Sequence, residues 1–174
     1  MFDAEIKAAT EALLKICQQK KLTVATAESC TGGLVAAAIS ELPGSSAMLD
    51  RGFVTYSNEA KQQMLGVTPA TIDFYGAVSK ECAEEMAKGA LAHAQVDLAV
   101  SITGIAGPTG AVAGKPLGLV YFCAASRSGR VTGHDRKFGA IGREKVRRAS
   151  VLQALAMLHE LAEKEEPRPP AGQS

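Results

Sequence analysis

The chain has 174 residues, which points to one domain, and 47% hydrophobic against 21% charged residues exclude wholesale disorder. Nineteen basic and eighteen acidic side chains leave a formal net charge of +1, which argues against a domain-wide nucleic-acid footprint. No apolar run approaches the roughly 18 residues of a membrane span. Acids stand in Met1-Phe2-Asp3-Ala4-Glu5 where a secretory leader carries bases, and Cys17, Cys30, Cys82 and Cys123 form no C-x-x-C pair. The expectation is a cytoplasmic protein in a reducing compartment, without membrane or metal.

Along the chain, residues 3–20 space Ile6, Ala9, Leu13, Leu14 and Cys17 as one buried face of a helix. Leu22 to Ala27 reads as a buried strand, and Leu34 to Ile39 as a helix ended by Leu42-Pro43-Gly44-Ser45-Ser46. Phe53-Val54-Thr55-Tyr56 predicts a second strand. Ser57 or Asn58 is placed to cap a short helix closed by Gly66, and Ser79 a longer one to about Ala94. Leu98 to Ile102 predicts a strand, Leu117–Ala125 and Val131–Phe138 an antiparallel hairpin, and Arg143 to Lys164 a final helix. Pro167 to Ser174 is too proline-rich and polar to pack, so a single domain over 1–166 with a disordered tail at 167–174 is expected. Early alternation of helix and strand with a late hairpin favours an α/β fold, a three-layer α/β/α sandwich around a mixed, largely parallel sheet.

Three segments have the makings of a site. Ser29 stands where a strand meets a helix N-terminus, so its hydroxyl suits attack on a carbonyl beside N–H groups that stabilise an anion. It equally suits a plain helix cap, and Cys30 is a rival nucleophile or inert packing. His93, His134 and His159 show no triad spacing; a lysine is the alternative base, provided its pKa is lowered. Lys61 is of the right kind, because the positive end of its helix disfavours a second positive charge; a solvated surface lysine is the other reading. Tyr56 offers a phenol to relay or position a proton.

The second segment, Gly104 to Gly110, follows a strand and has the backbone freedom to wrap a phosphate, or is a plain loop. It matches neither the Walker A spacing nor G-x-G-x-x-G. The third is basic density: eight Lys or Arg residues against two acids between Arg127 and Arg148. Arg143 opens the last helix, where its guanidinium and the helix end suit one phosphate; Arg147 and Arg148 compete for that role or are solvated.

Ala27 to Gly33, Gly44-Ser45-Ser46, Arg51 to Lys61, Gly76 to Ser79 and Gly104 to Pro108, in that order, resemble the CinA C-terminal domain family, over about residues 5–162. Its characterised members are nicotinamide-nucleotide amidases, also called nicotinamide mononucleotide deamidases. The resemblance implies hydrolysis of nicotinamide mononucleotide to nicotinic acid mononucleotide and ammonia, in pyridine-nucleotide recycling and with no cofactor. It places the nucleophile on Ser29, the lysine on Lys61 and the tyrosine on Tyr56. Cys30, Thr31, Gly32 and Gly33 would surround the oxyanion, Thr103, Gly104 and Gly107 would lie against the nucleotide, and Arg143 on its phosphate. The small-molecule nucleotide is the expected partner, together with a homo-oligomer, a dimer being favoured. A regulatory module of competence or DNA damage, or a nucleic-acid-binding domain using residues 127–148, is the alternative.

Overall fold

A computed structural model describes residues 2–169. Twelve elements follow in order: α1 (Ala4–Lys20), β1 (Val24–Glu28), α2 (Leu34–Ser40), a 3-10 turn (Ser45–Ala47), β2 (Leu49–Val54), α3 (Asn58–Leu65), α4 (Pro69–Tyr75), α5 (Lys80–Ala94), β3 (Leu98–Gly104), β4 (Leu119–Ser126), β5 (Val131–Lys137) and α6 (Arg143–Lys164). Local chemistry sets most of the boundaries. Asp3 accepts hydrogen bonds from the Glu5 and Ile6 N–H groups to start α1, Ser57 from Ala60 to start α3, and Ser79 from Cys82 to start α5. Helix α4 was not expected, although Thr68, its side-chain cap, and Pro69 at the first helical position are its signature.

The five strands are ordered β2-β1-β3-β4-β5, with β2, β1 and β3 parallel and β4 antiparallel to both β3 and β5. Along β1, β3 and β4 the side chains alternate between two buried faces. Val24, Leu98, Val100, Ile102, Val120 and Phe122 join the large core under α1, α2 and α6. Ala25, Ala27, Ala99, Cys123 and Ala125 face the other way, toward α5 and the end of α3. The small residues on that face let α5 approach closely: a Cβ on Gly89 would lie 1.9 Å from the Leu65 carbonyl oxygen. The result is the expected three-layer α/β/α sandwich with a mixed sheet. Strand β2 ends at Val54, two residues before the expected end; Thr55 still donates its N–H to the Glu28 carbonyl of β1, and Ser57 then caps α3.

The parallel pairing Ala27↔Ser101 and Glu28↔Ile102 brings the C-terminal ends of β1 and β3 side by side. In open α/β sheets that edge is where ligands bind. The turn after β1 and the loop after β3 therefore share one end of the sheet. At the opposite end Arg168 donates its N–H to the Lys20 carbonyl at 2.9 Å and pairs with Asp97 at 2.9 Å. Arg168, expected within a loose tail, is thus tied to the body, while Pro167 and Pro169 beside it are exposed; residues 170–174 lie outside the described residues.

Candidate active site

Ser29 is the first residue after β1, held by its N–H on the Ile102 carbonyl at 2.9 Å. Lys61 lies on α3, and its side chain runs back toward the helix N-terminus, the direction helical side chains prefer. Its Nζ ends 3.0 Å from Ser29 Oγ and 2.8 Å from the Thr55 carbonyl, with the Tyr56 and Ser57 carbonyls at 3.4 and 3.5 Å. Only 1% of Lys61 is exposed, so the surface-lysine reading fails. Burial holds its amine below the ordinary lysine value, opposed in part by the Cys82 and Cys30 thiols.

The pair opens onto a cleft of about 280 Å³ lined also by Cys30, Tyr56, Thr103, Gly104, Gly107 and Arg143. Gly104 brings β3 hard against β4 at its floor; a Cβ there would sit 2.7 Å from the Leu119 carbonyl oxygen. Thr103 is buried and donates to the Ala77 carbonyl at 2.7 Å, which ties the head of α5 to the cleft. Arg143 bridges the mouth, donating to the Gly107 carbonyl at 3.1 Å and to the Tyr56 hydroxyl at 2.8 Å. The Tyr56 phenol therefore faces Arg143, while only its carbonyl faces Lys61. Burial pushes the Cys30 thiol up to about 11, so at neutral pH it is protonated and a poor nucleophile.

Thr31, Gly32 and Gly33 do not line the cleft. Gly32 and Gly33 turn the chain behind Ser29 in left-handed backbone, φ +60° and +96°. The Gly32 N–H is spent on the Ser29 carbonyl, and the Gly33 N–H on the carboxylate of Glu28. Of the expected anion-binding N–H groups, those of Cys30 and Thr31 stay outside these bonds. Glu28 itself was missed, because a buried acid at a strand end has no local sequence signal.

The basic stretch does not form one surface. Arg127 pairs with Asp97 and Arg130 with Glu165, both at the end of the sheet away from the cleft. Arg147 supports the Thr31 carbonyl at 3.1 Å, and Arg148 pairs with Asp3 and Glu5 on α1. Arg143 alone of the three candidates lines this cleft. Among the described residues no histidine lines it, and no group of three or more His, Cys, Asp or Glu side chains could hold a metal ion. No helix of the described residues is long and apolar enough to cross a membrane.

Residues 6–162 match the model of the CinA C-terminal domain. The nicotinamide-nucleotide amidohydrolase PncC of Enterobacter agglomerans is 51% identical over 138 residues, 79% of this chain and 84% of that protein. The protein of the same name from Escherichia coli K12 is 47% identical over 158 residues, 91% of this chain and 95% of its own length. The crystal structure of competence/damage inducible protein CihA from Agrobacterium tumefaciens superposes with a TM-score of 0.91 at 47% identity, covering 92% of this chain and 98% of that one. A putative competence-damage inducible protein of Caldicellulosiruptor saccharolyticus is 52% identical over 68% of this chain but only 29% of its own length. With nearly the whole chain matched and its residues folded into the same architecture, the protein belongs to the CinA C-terminal domain family.

Proposed function

We propose that the protein hydrolyses the carboxamide of nicotinamide mononucleotide to nicotinic acid mononucleotide and ammonia by acyl transfer through Ser29. One observation carries the reading: a buried lysine nitrogen 3.0 Å from a serine hydroxyl at the head of a cleft. The names of the amidohydrolase relatives support the substrate. The neutral Lys61 amine takes the Ser29 proton as Oγ bonds to the amide carbon, and the carbonyl electrons move onto oxygen. The Cys30 N–H group, beside Ser29 at the cleft, receives that oxyanion. Its collapse re-forms the carbonyl and breaks the C–N bond, and the Lys61 ammonium gives its proton to the departing ammonia. Water, deprotonated by the same amine, attacks the ester and Ser29 leaves with its proton restored. Each cycle consumes one water and releases one ammonia.

Arg143 supplies the positive charge for the 5′-phosphate, and Tyr56, held by Arg143, closes the mouth over the ribose. A cytoplasmic role in pyridine-nucleotide recycling and assembly as a homo-oligomer, a dimer first, belong to the same reading. The test is ammonia release by purified protein from nicotinamide mononucleotide, with and without EDTA. Stoichiometric ammonia and nicotinic acid mononucleotide in both are expected. No ammonia would refute the amidase, and loss with EDTA would refute its metal-free chemistry.

A further inference from the structure

Glu28 closes β1 and is fully buried. Its carboxylate meets four donors. Thr26 Oγ1 lies 3.1 Å and the Ala36 N–H nitrogen 2.9 Å from Oε1, and the Gly33 and Val35 N–H nitrogens lie 3.1 Å from Oε2. An ionised carboxylate, which only accepts, satisfies all four; an amide in either orientation turns its NH₂ onto two of them. Helix α2 has no side-chain cap of its own, since Gly33 stands at its N-cap, so Glu28 caps it from the strand behind. The backbone of the same residue reaches the lysine. Its carbonyl accepts from the Thr55 N–H at 2.9 Å, and the Thr55 carbonyl accepts from Lys61 Nζ at 2.8 Å.

We infer that Glu28 is a positioning residue for Ser29: its buried carboxylate locks the 29–33 turn onto α2 so that the hydroxyl stays on Lys61 and the Cys30 N–H group stays available for the oxyanion. The inference rests on the serine–lysine reading above.

The test compares Glu28→Gln and Thr26→Val with wild type. Active sites are counted with a serine-directed fluorophosphonate, and kcat per labelled site, KM and the pH profile are measured on nicotinamide mononucleotide. Misplacing a nucleophile by a fraction of an ångström costs about 10–100-fold. Glu28→Gln should therefore lose about that much kcat per labelled site, with KM within about threefold and the acid limb unmoved, because the base is still Lys61. Thr26→Val, which removes one donor of four, should lose less but still more than about twofold. A merely structural residue would lower the number of labelled sites and leave kcat per site intact. A kcat per site within about twofold of wild type in Glu28→Gln overturns the inference; should that variant not fold, the same result in Thr26→Val does. If wild type is labelled at Ser29 but releases no ammonia, the substrate reading falls and the labelling rate judges Glu28 instead. If it is neither labelled nor active, both fall.

Discussion

Replacing Lys61 by methionine separates catalysis from stability. Methionine nearly conserves the length and volume of this 1% exposed side chain, so no cavity opens. The Thr55 carbonyl, now 2.8 Å from Nζ, loses its partner, at a cost of about 1–3 kcal/mol. Removing an amine whose charged form burial penalises offsets a comparable amount. The net change should stay within about 1–2 kcal/mol, a shift of a few degrees in Tm for a domain of this size. Activity behaves differently. A general base is worth about 10²–10⁴-fold, and a nucleophile and base acting as a unit more, so kcat/KM should fall at least about 10³-fold.

The pH dependence carries a second signature. Burial lowers the folded-state pKa of Lys61 below the unfolded value of ~10.4, so between those two values the unfolded chain binds more protons. Wild-type stability therefore rises with pH across that window. Below it the penalty of burying the ammonium is present in full, and above ~10.4 it is gone. Relative to wild type, Lys61→Met should be most stable at low pH and lose that advantage as pH climbs. The wild-type kcat/KM should show an acid limb at the lowered lysine pKa, since only the free amine accepts the proton. Ammonia release and thermal melts over a pH series read both. A variant within tenfold of wild-type kcat/KM, or an acid limb centred on ~10.4, would refute the assignment.

Ser29→Ala should abolish ammonia release with a Tm change of only a few degrees, while Cys30→Ala should keep activity within a few-fold because its thiol is buried and protonated; the opposite pattern moves the nucleophile to Cys30. Gly89→Ala should destabilise by more than about 3 kcal/mol in denaturant titration, since its Cβ would meet the Leu65 carbonyl oxygen at 1.9 Å and push α3 and α5 apart. A near-neutral result would mean that this helix contact is looser than described. Arg143→Ala should raise KM for the nucleotide roughly tenfold or more with a smaller effect on kcat, as expected for a charge-assisted phosphate contact. Arg148→Ala, which breaks only exposed pairs with Asp3 and Glu5, should leave KM unchanged; the reverse would place the phosphate at Arg148 instead of Arg143.

Much of the fold was legible because its signals are local. Asp3, Ser57 and Ser79 start helices where caps belong, Gly66 stops one, and the final helix expected over residues 143–164 matches α6 end to end. Where pairing partners decide a boundary, the sequence was a poorer guide. The run Phe53 to Tyr56 has strand character throughout, yet the strand ends at Val54, since Thr55 makes one more bond to β1 and Ser57 already caps α3. The start of α4 is also a local signal, a capping threonine at 68 followed by Pro69 at the first helical position.

At the site, residue types and order sufficed to put forward Ser29, Lys61, Tyr56 and the glycine loop. Composition and spacing left Ser29, Lys61 and the loop each with an ordinary alternative: a cap, a surface charge, a plain turn. Those alternatives separate only in three dimensions, because burial and hydrogen-bond geometry depend on contacts far apart in the chain. The parallel pairing of β1 with β3 carries Ser29 to the glycine loop, and the packing of α3 on α5 buries an amine 32 positions from the hydroxyl it meets. The same long-range packing sends Arg148 to α1 and Arg143 to the cleft, and gives the carboxylate of Glu28 its four donors.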